Sequence, residues 1–173
     1  MAKGLRWCLD LNIWCAALLA DLKGTHDSAC QNLVEIVQNG HCNEVPVQLV
    51  ISWGMLNRLQ QVLMRLGIRA NDAANYVDVI RAYGSLDPSV TLGGTGIIPL
   101  QDEEDRHVLE TALAGKADVL VTANFSDFLS KETSEVMINR HYRYLAPNQS
   151  LEILHPYLLM EWVRLDVVLK NLS

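Results

Sequence analysis

The sequence predicts an α/β protein with a mainly parallel sheet covered by helices on both faces. Short apolar, β-rich runs alternate along the chain with segments of helical periodicity. A chain of 173 residues is long enough for one sizeable core, and no Gly/Ser linker, low-complexity tract or internal repeat marks a boundary. One domain over residues 1–173 is therefore expected.

Leu5 to Leu9 is an apolar run that ends at Asp10, the pattern of a buried strand delivering a carboxylate at its C-terminal end. The stretch from Leu11 reads as helix. Asp27 or Ser28 is placed to cap a second helix, in which Leu33, Ile36 and Val37 keep helical spacing and which Gly40 ends. Val45 to Ile51 is a second β-rich run, with Pro46 tolerable near its start. Ser52 then caps a helix through Leu66 with an apolar stripe of Leu56, Leu59, Val62, Leu63 and Leu66.

Asn71 is expected to cap a further helix ending near Gly84, and Val90 to Leu92 is a weak third strand. Gly93-Gly94-Thr95-Gly96 reads as a loop; without a following Lys it is not a phosphate-cradling P-loop. Asp102 to Ala114 is a helix whose acidic first turn suits the macrodipole. Val119 to Thr122 is a buried strand. A polar, irregular segment follows, then a last strand at Leu151 to Leu154 and a terminal helix opened by Pro156. That apolar helix either covers the core or offers a homodimer face.

Composition narrows the function. The run from Leu11 to Ala20 resembles a signal peptide, but Asp10 and Asp21 bracket it with charge, and no stretch is long enough to span a bilayer. A cytoplasmic protein with no membrane partner is expected. Cys8, Cys15, Cys30 and Cys42 form no C-x-x-C pair and read as reduced, mostly buried thiols. A net charge of −6 is awkward for a nucleic-acid binder unless the acids converge to hold cations.

Such convergence is what the order of elements implies. In an open parallel sheet, ligands bind beyond the carboxyl ends of the strands near the switch in strand order, where Asp10 is placed. Asp102 and Asp105 lie one turn apart at a helix start, and Asn124 and Asp127 follow a strand end. Clustered carboxylates repel one another, so they are best tolerated around a cation, and oxygen donors without His or Cys suit Mg²⁺ or Mn²⁺. Such ions activate water and stabilise the charge of a phosphodiester under in-line attack. Helix capping is the competing role for Asp10, and dipole compensation for Asp102 and Asp105.

Leu9-Asp10-Leu11-Asn12, the helix start Asp102-Glu103-Glu104-Asp105 and the segment Ala117 to Phe128 together resemble a PIN domain, over roughly Leu5 to Pro156. The resemblance implies a three-layer α/β/α fold and a Mg²⁺- or Mn²⁺-dependent ribonuclease, including the toxins of toxin-antitoxin pairs, with RNA as substrate and an antitoxin protein as partner. Position by position, it implies that Asp10 is the acid after the first strand, Asn12 the polar residue two on, Asp105 the helix acid and Thr122 the hydroxyl that ends the fourth strand. Two positions depart from the pattern. Where the family has a Glu on the helix after the second strand, Ser52 to Leu66 has no acid, and Asn57 or Arg58 stands there. The usual Thr-x-Asp is Thr122-Ala123-Asn124, with Asp127 as a substitute carboxylate.

Catalysis is thus expected from Asp10 and Asp105, with Asp102, Asn124 and Asp127 as further metal ligands. The missing helix acid supports the rival reading, a catalytically degenerate module that binds RNA or a protein. A phosphatase of the dehalogenase type would need an acid at Asn12, and a receiver domain an acidic pair ahead of Asp10; both are absent. Arg140-His141-Tyr142-Arg143-Tyr144 interleaves cations with rings, so Arg140 and Arg143 are candidate RNA contacts, with a solvated loop as the alternative. Trp7, Trp14, Trp53 and Trp162 read as core or interface residues.

Overall fold

The N-terminal apolar run forms β1 (Leu5–Leu9), buried along most of its length, and the chain then alternates helix and strand as expected. The computed structural model describes residues 4–84, 90–91 and 103–172, with side chains described over 4–83 and 106–172. After β1 come α1 (Leu11–Leu22), α2 (Ala29–Asn39), β2 (His41–Cys42), β3 (Val45–Leu49), β4 (Ile51–Ser52), α3 (Trp53–Arg65) and α4 (Ala70–Gly84). There follow β5 (Val90–Thr91), α5 (Glu103–Ala114), β6 (Val119–Val121), a 3₁₀ turn (Phe125–Phe128), β7 (Thr133–Met137), β8 (His141–Ala146), β9 (Gln149–Leu154), α6 (Pro156–Arg164) and α7 (Val168–Leu172).

The main sheet has the order β2-β3-β1-β6-β9-β8-β7. β3, β1, β6 and β9 run parallel, and antiparallel strands extend both edges. The chain leaves β1 for β3 on one side and reaches β6 on the other. Two right-handed crossovers travelling in opposite directions place their helices on opposite faces of the sheet, which gives three layers. The strand order therefore switches at β1, and Asp10 stands at its carboxyl end.

Local chemistry sets the helix ends. Ser28 and Gln31 form a reciprocal capping box on α2, and Gly40 ends that helix in the left-handed region at φ 75°. Ser52 caps α3 by accepting the Met55 N–H. α4 begins at Ala70, ahead of the expected Asn71 cap, with the Arg69 carbonyl taking the Ala73 N–H. α6 starts at Pro156 and buries Leu158, Leu159 and Met160, so this helix covers the core and packs against α2.

Two expectations change. The run Val45 to Ile51 is divided: the Val50 N–H bonds to the Trp7 carbonyl, and β4 then leaves the main sheet to pair with β5. Helix and strand approach closely here: a Cβ on Gly115, just after α5, would overlap the buried Val50 side chain. Gly115→Ala should cost about 1–3 kcal/mol in urea unfolding, and less than additively when combined with Val50→Ala.

The segment after β6 is not irregular either. β7 and β8 add an antiparallel extension to β9, because Tyr142 and Tyr144 alternate inward while Arg143 and Leu145 point outward, a period-2 pattern. The end of the third strand at Leu92, the loop Gly93 to Gly96 and Asp102 lie outside the described residues.

Candidate active site

Asp10 is only 6% exposed, yet both of its oxygens are engaged. Oδ1 accepts the Leu11 N–H at 2.7 Å, so Asp10 does cap α1, and Oδ2 accepts the Thr122 hydroxyl at 2.8 Å. The Asp10 N–H itself bonds to the Val121 carbonyl, which ties the residue to the end of β6. Thr122 is fully buried, and its Oγ1 accepts the Asn124 N–H at 3.0 Å while donating to Asp10. Residues 112 positions apart are thus joined at the switch point.

Burial pushes the Asp10 carboxyl up to about 6, against the bonds from Thr122 and Leu11 that favour its charge; nearby Asp127 raises it further. A carboxylate held this far from water is costly unless a cation faces it. The oxygen donors beside it fit that role. Asn12 Oδ1 is buried with no hydrogen-bond partner, and Asn12 lines a cleft of about 440 Å³ together with Asp10, Asn124, Asp127, Val62 and Val108. Asn124 is exposed; its amide donates to Asp127, while its Oδ1 accepts from Ser126 at 2.9 Å.

Only two carboxylates, Asp10 and Asp127, line the cleft among the described residues. No group of three His, Cys, Asp or Glu suited to a metal occurs among them. A donor set of one or two carboxylates with neutral oxygens is the kind Mg²⁺ uses when water and substrate phosphate complete its shell. Asp105 sits in the first turn of α5, but its side chain lies outside the described residues, as does Asp102.

Asn57 is exposed, whereas Arg58 is half-buried. Gly54, Arg58, Val62 and Leu66 follow one another at four-residue spacing and so share one stripe of α3. At one end of that stripe a Cβ on Gly54 would overlap the His107 ring of α5; at the other, Val62 and Leu66 line the cleft. Arg58 therefore stands on the side of α3 that faces α5 and the cleft, and Asn57 does not.

Arg140 and Arg143 are not brought to the cleft. Arg143 bonds to Glu152 at 2.6 Å on β9, and Arg140 reaches Glu161 of α6 at 3.6 Å. Cys8, Cys15 and Cys42 are buried free thiols, and Cys30 is half-buried. Phe125, His155 and Tyr157, which follow the ends of β6 and β9, were not singled out by the sequence. The Phe125–His155 ring contact crosses between elements, while His155 and Tyr157 meet locally at the start of α6. No helix among the described residues is long and apolar enough to cross a membrane.

The family model for the PIN domain matches residues 6–126, from β1 to the turn after β6. No curated protein and no solved structure matches the chain.

Proposed function

Because the chain belongs to the PIN-domain family, whose members are generally nucleases that use divalent metals, we propose that it is a Mg²⁺- or Mn²⁺-dependent endoribonuclease, the toxin of a toxin-antitoxin pair. The observation that carries this reading is the buried Asp10 carboxylate at the switch point, held by Thr122 and lining a cleft beside Asn12, whose buried side-chain oxygen has no hydrogen-bond partner. Asp10, Asn12 and Asp127 would hold the cation, with Asp105 and Asp102 of the neighbouring helix start as further acids and Asn124 positioning Asp127. A cation bound there supplies activation of water and neutralises charge that builds on the phosphodiester.

The residues themselves do the rest. Thr122 keeps Asp10 oriented and favours its ionised form. Val62 and Val108 give the cleft an apolar wall, which lowers the local dielectric and strengthens electrostatic contacts beside it. An antitoxin protein that covers this cleft would silence the enzyme, and a cytoplasmic setting suits both RNA and reduced cysteines.

Activity is tested by incubating the purified chain with labelled single-stranded RNA in Mn²⁺, Mg²⁺ or EDTA. Cleavage with either ion and none in EDTA is expected; intact RNA in all three would sink the proposal. Because the metal must displace a proton from Asp10, Mn²⁺ affinity should fall about tenfold per pH unit below pH 6. Thr122→Val removes the bond that favours the carboxylate, so the fall should begin at higher pH, with several-fold weaker binding at pH 6.5. An unshifted profile would mean that Thr122 does not tune Asp10.

The second reading, a non-catalytic module that binds RNA or a protein, is favoured by Arg58 standing on the cleft side of an acid-free α3. Absence of Asp10-dependent Mn²⁺ binding would select it.

A further inference from the structure

Four rings form a row from the core to the surface at the carboxyl end of the sheet. Tyr142 and Phe125 are buried with centroids 4.9 Å apart; Phe125 lies 6.2 Å from His155, and His155 lies 5.0 Å from Tyr157. Tyr157 ends the row with 64% of its surface exposed. We infer that His155 and Tyr157 form a stacking shelf for an unpaired nucleobase of the RNA whose backbone enters the Asp10 cleft.

The shelf is fixed before any ligand arrives. Pro156 opens α6, and His155 Nδ1 accepts the Tyr157 N–H at 3.1 Å, which holds the imidazole and the phenol ring against each other. With Nδ1 accepting, the neutral ring carries its proton on Nε2. Burial and the nearby Arg140 keep the His155 pKa below the usual value, so the ring stays neutral and can stack without a charge to desolvate.

Position ties the shelf to the cleft. His155 follows Leu154, whose carbonyl accepts the Thr122 N–H, and Thr122 is the residue that holds Asp10. Phe125 follows Asn124, which lines the cleft. β9 is two strand spacings from β1, roughly 10 Å. A single strand whose phosphate lies at Asp10 can therefore lay a neighbouring base on Tyr157. A cation stands beside it as well: the Arg140 carbonyl accepts the His155 N–H at 2.9 Å, and the Arg140 guanidinium, 3.6 Å from Glu161, is about half exposed and acts electrostatically on the His155 ring. A base already stacked within a duplex is not offered to such a shelf, so it selects single strands.

This inference rests on the nuclease reading, and the experiment separates the two. Affinity for a labelled single-stranded RNA is read by fluorescence anisotropy in EDTA and as KM for cleavage in Mn²⁺, for the unmutated chain, Tyr157→Ala and Tyr157→Phe, with intact RNA and with RNA made abasic one position at a time. Tyr157→Ala should weaken affinity about 5- to 100-fold. Tyr157→Phe should keep it, and one abasic position should weaken the unmutated chain by a similar factor while costing Tyr157→Ala nothing more. If the unmutated chain binds and cleaves RNA and Tyr157→Ala does so equally well, the shelf is wrong and the nuclease stands. A Tyr157→Ala loss that the abasic RNA leaves additive also overturns the shelf, since it would then reflect the fold or another surface. An unmutated chain that neither binds nor cleaves RNA removes the nuclease reading and the shelf together.

Discussion

Asp10→Asn should raise the melting temperature of the metal-free protein at pH 8 by about 3–8 °C while abolishing the proposed Mn²⁺-dependent cleavage. The gain follows from burial. The folded state pushes the Asp10 carboxyl up to about 6, so the folded protein binds this proton more tightly than the unfolded chain does. Stability from this group is full below the unfolded pKa near 4, declines as pH rises to about 6, and is absent at pH 8. Asn carries no charge to desolvate, and with its oxygen accepting the Leu11 N–H its amide can donate to the Thr122 hydroxyl oxygen, so the variant escapes the decline. Its advantage should therefore be complete above pH 6 and vanish toward pH 4, which differential scanning calorimetry at a series of pH values reads directly. Saturating Mn²⁺ should reverse the order by stabilising only the unmutated chain. A variant less stable at pH 8, or equally stabilised at every pH, would contradict a strained buried carboxylate.

Arg58→Glu should tighten Mn²⁺ binding at least tenfold at pH 7.5, or about 1.4 kcal/mol. Arg58 lies on the stripe of α3 between Gly54, which meets His107, and Val62, which lines the cleft. A fixed guanidinium on that side opposes a dication, and a carboxylate attracts one, so the exchange changes the field at the cleft by two charges. Asn57→Glu adds a carboxylate one residue away on the exposed side and should change affinity less than twofold. Titration calorimetry of the two variants separates position from net charge. Equal gains would mean that the stripe does not order these side chains toward the cleft.

Much of this architecture was legible because its causes are local. An apolar run closed by Asp10, a cap at Asp27 or Ser28, of which Ser28 is the one used, and Ser52 before an apolar stripe are features within a few residues. The break after Val50 was not legible, since it goes with the pairing of β4 to β5, which is distant in sequence. The β7–β8 extension was hidden differently. Its turn places Asn139 rather than Gly at positive φ, and the alternation of Tyr142 and Tyr144 was read for its chemistry instead of its period. Arg140 and Arg143 illustrate the same limit, because their carboxylate partners Glu161 and Glu152 come from other elements.

The site divides along the same line. The motif placed Asp10 and Thr122 in one family pattern, and the structure joins them by a hydrogen bond. Choosing between Asn57 and Arg58 needed the neighbours of α3. Helical spacing alone placed Arg58 with Val62 and Leu66, but only the packing of Gly54 on His107 and the lining of the cleft showed which way that stripe points.

The most direct test is the chemistry of the cut ends. Single-stranded RNA treated with the purified chain and Mn²⁺ should yield fragments with 5′-phosphate and 3′-hydroxyl termini, the products when an activated water displaces the 3′-oxygen, and Asp10→Asn prepared in parallel should yield none. Fragments ending in 2′,3′-cyclic phosphate, or cleavage undiminished in Asp10→Asn or in EDTA, would contradict a metal-dependent nuclease centred on Asp10.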